Sequence, residues 1–148
     1  MDVTYRTPAG IEAESMRIIG EELAMMGLAI PAEREAVVKR VIHTTADFDY
    51  AASLRFTEGA VQRAVAAFQA GASIVTDTNM AKAGVSKAAL AKLGGQVLCF
   101  MADPEVTAAA KARGDTRAVV CMEKAAQEHP GAVLAVGNAP TALLKLCE

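Results

Sequence analysis

The stretch Ala72-Ser73-Ile74-Val75-Thr76 is short, apolar and β-branched, and it predicts a buried strand. Two similar stretches, 96–101 and 132–136, follow along the chain, and helical segments separate the three. Strands that alternate with helices favour right-handed crossovers and a parallel sheet. We therefore predict an α/β fold in which helices pack on a parallel sheet, in a single layered domain over residues 1–148.

The remaining chain predicts helices around these strands. Residues 1–10 read as an irregular lead-in, and an apolar stripe of Ile11, Ile18, Ile19, Leu23 and Met26 predicts the first helix. Pro31 suits a helix start, and Ser86 suits a cap. The predicted helices span residues 11–26, 31–43, 57–68, 87–93, 104–113 and 116–128, with a last one after the 137–141 turn.

Composition excludes several classes of function. The chain of 148 residues is 53% apolar and 22% charged, which is typical of a globular protein. A net charge of −2, 4% aromatic residues and no Trp argue against nucleic-acid binding. Three dispersed cysteines, no secretory-type N-terminus and no membrane-length apolar run predict a cytoplasmic protein with reduced thiols and no membrane partner.

The stretch from Arg40 to Asp49 holds His43, one of only two histidines, where apolar packing gives way to polar residues. A group that can change charge near neutral pH is suited there to be a general acid or base at a pocket wall. The same residues equally fit a helix-end histidine that interacts with the last carbonyls. Ser15, in the first helix, locally fits a helix serine bonded to its own backbone.

Polar clusters follow two of the three predicted strands, at the edge where open parallel sheets bind ligands. They are 77–80 and 137–141, and the second pairs a glycine turn with a helix start whose backbone N–H groups favour an anion. Thr116-Arg117 is a third candidate anion site. Each also fits an ordinary loop or cap. The usual nucleotide fingerprints and metal-ligand spacings are missing, Cys99 is expected in the core, and His129 is expected in a surface turn.

Five segments in chain order carry specific patterns: 11–15, 38–49, 76–80, 114–117 and 137–143. The most specific are the motifs Arg-x-Ile-His-x-Thr-x-Asp-x-Asp in 38–49 and Gly-Asn-Ala-Pro-Thr-Ala-Leu in 137–143. Taken together, these segments resemble the precorrin-8X methylmutase (cobalt-precorrin-8 methylmutase) family of corrin biosynthesis, and the resemblance covers nearly the whole chain.

The resemblance implies an isomerase that moves a methyl group from C11 to C12 of the corrin ring. The substrate would be metal-free precorrin-8X or cobalt-precorrin-8, and the product hydrogenobyrinate or cobyrinate. The family is an α/β homodimer that needs no cofactor or metal ligand for this sigmatropic shift. Its key histidine falls on His43, which would protonate the ring. The charge of Asp47 or Asp49 could adjust how readily His43 gives up its proton.

The ring carries many carboxylates, for which the resemblance implies donors on this chain. Expected contacts to the substrate are Ser15, Arg40, Asp77, Met80, Thr116, Arg117, Asn138 and Thr141.

One departure from the family concerns the C-terminus. Family chains continue with a further strand and a proline-valine-glycine-phenylalanine segment, whereas this chain ends at Glu148, so it is expected to be C-terminally shortened. The alternative function is therefore a corrinoid-binding module that has lost turnover. A third reading is an unrelated α/β enzyme that acts on a small anionic substrate.

Overall fold

The computed structural model describes residues 7–148. The described chain divides into two compact units, with the boundary between Gln62 and Arg63. The boundary lies within one helix, α4 (Ala60–Gln69). The single domain expected over residues 1–148 stays a prediction. Of the predicted irregular lead-in, residues 1–6 lie outside the described part of the chain.

The first unit contains α1 (Pro8–Met25), α2 (Ala32–Thr45) and α3 (Tyr50–Ser53). The prediction that residues 8–10 are irregular is wrong, because α1 begins at Pro8. Thr7 caps α1 by accepting a hydrogen bond from the Gly10 N–H at 3.2 Å, and Pro8 occupies the first turn, where its missing N–H costs nothing.

Two apolar faces of α1 and α2 meet in a small core. Ile19 and Leu23 of α1 and Val38 and Ile42 of α2 are buried there, and apolar residues of 48–56 pack against them. Only part of the stripe predicted for α1 faces this core, because Ile11, Ile18 and Met26 are exposed. The packing places the C-terminal end of α2, with His43, beside the N-terminal half of α1.

The second unit alternates strands with helices, as predicted. Thr78 and Ser86 cap two short helices, and Thr116 caps a longer one. In chain order the elements after α4 are β1 (Ile74–Thr76), α5 (Asn79–Gly84), α6 (Lys87–Lys92), β2 (Val97–Leu98), α7 (Pro104–Arg113), α8 (Arg117–Glu128), β3 (Val133–Ala135) and α9 (Pro140–Leu146).

The three strands form a parallel sheet in the order β2-β1-β3, which confirms the predicted α/β fold. The central strand, β1, is the most buried: Val75 and Thr76 are inaccessible to solvent. All three carboxyl ends therefore open at one edge, with the end of β1 between those of β2 and β3. We call this edge, formed by residues 77–80, 99–101 and 136–141, the carboxyl edge of the sheet.

The second unit has a buried core, and one glycine lets the segments before β1 and β2 approach closely. Its core joins Val75 to buried residues of α7, α8 and α9, among them Cys121, Met122 and Ala142. A Cβ added at Gly95, just before β2, would lie only 2.4 Å from the carbonyl oxygen of Ala72, just before β1.

None of the helices described within residues 7–148 is both long and apolar enough to cross a membrane.

Candidate functional site

His43 lies in the last turn of α2, with its ring exposed and hydrogen-bonded to Ser15 of α1. The distance between Ser15 Oγ and His43 Nδ1 is 2.7 Å. Ser15 is therefore bonded to a side chain on the neighbouring helix, where local sequence favoured its own backbone. Because Nδ1 faces Ser15, Nε2 on the opposite side of the ring is the nitrogen left for a ligand.

A second polar pair joins the same helices one turn earlier. Arg40 Nη2 donates to Glu12 Oε1, and both side chains are about half exposed, at 54% and 48%. The hydrogen bond from Arg40 and its charge lower the pKa of Glu12, and the charge of His43 adds to this effect. The sequence predicts Arg40 as a donor to substrate, whereas in this structure its guanidinium is paired with Glu12.

Of the two carboxylates predicted to act on His43 by charge, Asp47 makes a local hydrogen bond in the structure. Asp47 Oδ1 accepts the backbone N–H of Asp49 at 2.9 Å and so forms the turn that leads into α3. Glu12, which sequence reasoning missed, is the carboxylate whose pKa responds to His43. The sequence spacing could have indicated Glu12. Glu12 and Ser15 are three residues apart on one helix, and Arg40 and His43 are three residues apart on the other. When the two helices pack, Glu12 can therefore face Arg40 while Ser15 faces His43.

Asp77, directly after β1, is the buried polar centre of the carboxyl edge. Its Oδ1 accepts the backbone N–H of Gly137 at 3.1 Å, and its Oδ2 accepts those of Asn138 at 2.9 Å and Ala139 at 3.1 Å. Burial raises the pKa of Asp77, but the backbone hydrogen bonds outweigh it and leave the pKa below its usual value. The sequence predicts a bound anion at the start of α9, whereas in the structure these three N–H groups donate to Asp77. Asp77 itself is inaccessible to solvent, so it does not form an exposed pocket wall.

Exposed hydroxyl and guanidinium groups complete this edge. The hydroxyls of Thr116 and Thr141 are 3.0 Å apart, which links the starts of α8 and α9. Arg117 Nη1 donates to the carbonyl of Met101, just beyond β2, at 3.3 Å. Thr116, Arg117, Thr141 and Asn138 are all exposed, so the structure brings these four predicted contacts to the edge and leaves them accessible.

Met80 and Thr76 differ in how they contribute to the edge. Met80 lies in the first turn of α5 and is 81% exposed, and its contact with the substrate stays a prediction. Thr76, which sequence reasoning missed, is fully buried, and its hydroxyl lies 3.0 Å from the carbonyl of Thr78 and 3.2 Å from that of Leu98. It ties the loop after β1 to β2.

The other reactive side chains have structural surroundings. Burial raises the pKa of the Cys121 thiol to about 11, which makes it a poor nucleophile, and Cys99 is half-buried. His129 stacks on Phe100 with ring centroids 5.7 Å apart, so it is more than the surface turn residue that the sequence predicts. Within residues 7–148, no group of three or more His, Cys, Asp and Glu side chains is arranged to hold a metal ion.

Comparison with known proteins gives one consistent family. The family profile described as Precorrin-8X methylmutase matches residues 10–148. The chain is 38% identical over 139 residues to the cobalt-precorrin-8 methylmutase of Priestia megaterium, covering 94% of this chain and 61% of that one. It is 40% identical over 146 residues to the cobalt-precorrin-8 methylmutase of Salmonella typhimurium, covering 95% and 69%.

The fold agrees with the sequence comparison. The crystal structure of precorrin-8x methyl mutase from Thermus thermophilus superposes with a TM-score of 0.82 at 40% identity, covering 93% of this chain and 66% of that one. The chain thus spans about three fifths of the Priestia megaterium relative and 66% of the Thermus thermophilus chain. With the profile match over 139 of its 148 residues, the chain belongs to the precorrin-8X methylmutase family.

Proposed function

We propose that this protein is an isomerase that moves a methyl group within precorrin-8X or cobalt-precorrin-8, with His43 as the general acid. The observation that carries the proposal is the hydrogen bond between Ser15 Oγ and His43 Nδ1 on an exposed helix end. It holds an imidazole in a defined orientation and leaves Nε2 to face a ligand. The methylmutase names of the relatives give the class of substrate.

In the proposed reaction the methyl group leaves C11 as its new bond to C12 forms. Protonation of the ring by His43 Nε2 would withdraw electron density from the migrating system and lower the barrier, an effect typically worth about 10²–10⁴-fold. Because substrate and product are isomers, the reaction consumes no proton overall. The ring must therefore return a proton to the imidazole before hydrogenobyrinate or cobyrinate is released.

Ser15 suits both protonation states of the imidazole. When the ring is an imidazolium, both nitrogens donate, and Ser15 Oγ accepts from Nδ1–H. After Nε2 gives up its proton, the Nδ1–H bond to Ser15 can persist, so the ring need not turn during the transfer. The Glu12 carboxylate, held by Arg40, adds a negative charge that attracts the imidazolium.

We further propose that the carboxylates of the ring bind side-chain donors. Arg117, Thr116, Asn138 and Thr141 are exposed donors at the carboxyl edge of the sheet, which is where open parallel sheets bind ligands. Arg40 would contribute by sharing its guanidinium between Glu12 and a carboxylate of the ring.

A homodimer is part of the proposal and predicts twice the chain mass in sedimentation equilibrium.

A spectral assay tests the function. The protein is mixed with precorrin-8X or with cobalt-precorrin-8, and the visible spectrum is followed to that of hydrogenobyrinate or cobyrinate. Conversion of either substrate supports the proposal, and the faster one identifies the branch. Tight binding of both without conversion would favour the corrinoid-binding module instead, and no binding of either would contradict both functions.

A further inference from the structure

The loop that starts α9 is built around a buried carboxylate. Three successive backbone N–H groups, from Gly137, Asn138 and Ala139, point at the two oxygens of Asp77. Successive N–H groups that converge in this way form a concavity that binds anions. Here the anion is part of the chain, and it comes from the end of the neighbouring strand, β1.

The geometry leaves Asp77 no role as a direct contact to substrate in this structure. Its side chain is inaccessible to solvent, and both of its oxygens already accept hydrogen bonds. The backbone N–H groups around it are equally engaged, so a carboxylate of the ring must be bound by side chains and not by this stretch of backbone.

The loop carries two of the proposed substrate contacts on its outer side. Asn138 is exposed although its N–H is bonded to Asp77, and Thr141 follows one turn later with its hydroxyl 3.0 Å from that of Thr116. Buried Ala142 anchors the helix that follows. The position of Asn138 and Thr141 therefore depends on how firmly the loop before α9 is held.

We propose that Asp77 is a positioning residue, an internal anion that holds the loop of residues 137–139 and so fixes Asn138 and Thr141 for binding a carboxylated ligand. This role rests on the proposed function, because Asn138 and Thr141 are contacts to the ring only under that proposal. Its first part, the holding of the loop, concerns the protein without any ligand and can be measured separately.

Amide hydrogen exchange, read by NMR in the protein without ligand, tests the holding of the loop. In the wild type, the amides of Gly137, Asn138 and Ala139 should exchange slowly although Gly137 and Asn138 are exposed residues. In Asp77→Asn, which offers one oxygen where the carboxylate offers two, exchange at these amides should rise by about tenfold or more. Asp103→Asn is the matched control, because the Asp103 side chain makes no cap hydrogen bond with any described residue.

Rescue by a small carboxylate separates this role from a general loss of structure. Asp77→Ala leaves a space beside the three amides, and added acetate or formate should restore their protection, whereas chloride at the same ionic strength should not. Fast exchange of the three amides in the wild type, or Asp77→Asn with unchanged exchange, would overturn the proposal. Both readings stand even if Asp77→Ala fails to fold.

Affinity for hydrogenobyrinate tests the second part. Asp77→Asn should weaken binding by about tenfold, while Asp103→Asn should bind as the wild type does. Loosened amides with unchanged affinity would refute the positioning of substrate contacts. If the wild type bound no ring while its amides were protected only in the presence of Asp77, the proposed function would fail and the anchoring role would stand.

Discussion

Replacing Ser15 with alanine tests how the catalytic imidazole is held. The change removes the hydroxyl that lies 2.7 Å from His43 Nδ1 and leaves the ring free to turn. A hydrogen bond to a charged group is worth about 1.5–3 kcal/mol and one between neutral groups about 0.5–1.5 kcal/mol, so the imidazolium loses about 1 kcal/mol more than the neutral ring. That difference corresponds to about fivefold in an equilibrium or rate constant.

We therefore expect Ser15→Ala to lower kcat by about five- to tenfold, the larger value including the lost orientation of the ring. KM should change little, because Ser15 acts on the substrate through His43. Single-turnover conversion of precorrin-8X, followed by its visible spectrum, measures the rate, and titration with hydrogenobyrinate measures binding. Thr44→Ala is the matched control: its hydroxyl is next to His43 in sequence but bonds the Arg40 carbonyl of its own helix at 2.9 Å.

Two results would refute this reasoning. A Ser15→Ala variant that converts substrate at the wild-type rate would show that the hydrogen bond to His43 does not support proton transfer. A weaker affinity with an unchanged kcat would show instead that Ser15 contacts the ring itself. Thr44→Ala should match the wild type in both measurements.

Three further changes probe the second unit. Arg117→Ala should weaken hydrogenobyrinate binding about tenfold in titrations, while Arg113→Ala, which removes a guanidinium paired with Glu123, should not; equal affinities for both would remove Arg117 from the site. Gly95→Ala should lower the free energy of unfolding by about 1–3 kcal/mol in urea, because its Cβ would meet the Ala72 carbonyl, whereas Gly84→Ala, whose added Cβ would meet no described atom within 4 Å, should not. Because the folded-state pKa of Asp77 is lowered, the stability from its ionised form is fully present above its unfolded-state pKa of about 3.9 and is lost as the pH falls from there through the folded value. Urea midpoints should accordingly fall more steeply in acid for the wild type than for Asp77→Asn, and parallel curves would contradict the assignment.

Much of the second unit could be predicted from local sequence. Asp103-Pro104 and Gly114 bound α7 as expected, and the three apolar stretches all contain strands of a parallel sheet. Helix α5, with six residues, was missed because it begins inside the polar cluster 77–80, which is equally typical of a loop. Helix α3, with four residues, carries even less signal.

The contacts in the site join residues that are far apart in the sequence, and local patterns do not predict which of these residues meet. Asp77 and its partner Asn138 are 61 residues apart, and they meet only because β3 pairs directly with β1. The sequence predicts that both follow strands, but strand order is fixed by packing of the whole sheet. Likewise, Ser15 and His43 are 28 residues apart, and locally Ser15 favours a bond to its own helix until α2 packs against α1.

The central claim is that His43 donates the proton that starts methyl migration, and the rate of conversion by His43→Ala tests it most directly. The variant is saturated with precorrin-8X, and formation of hydrogenobyrinate is followed in a single turnover beside the wild type. Conversion should be about 10²–10⁴-fold slower while hydrogenobyrinate binds as tightly as to the wild type. Conversion at the wild-type rate would contradict the account.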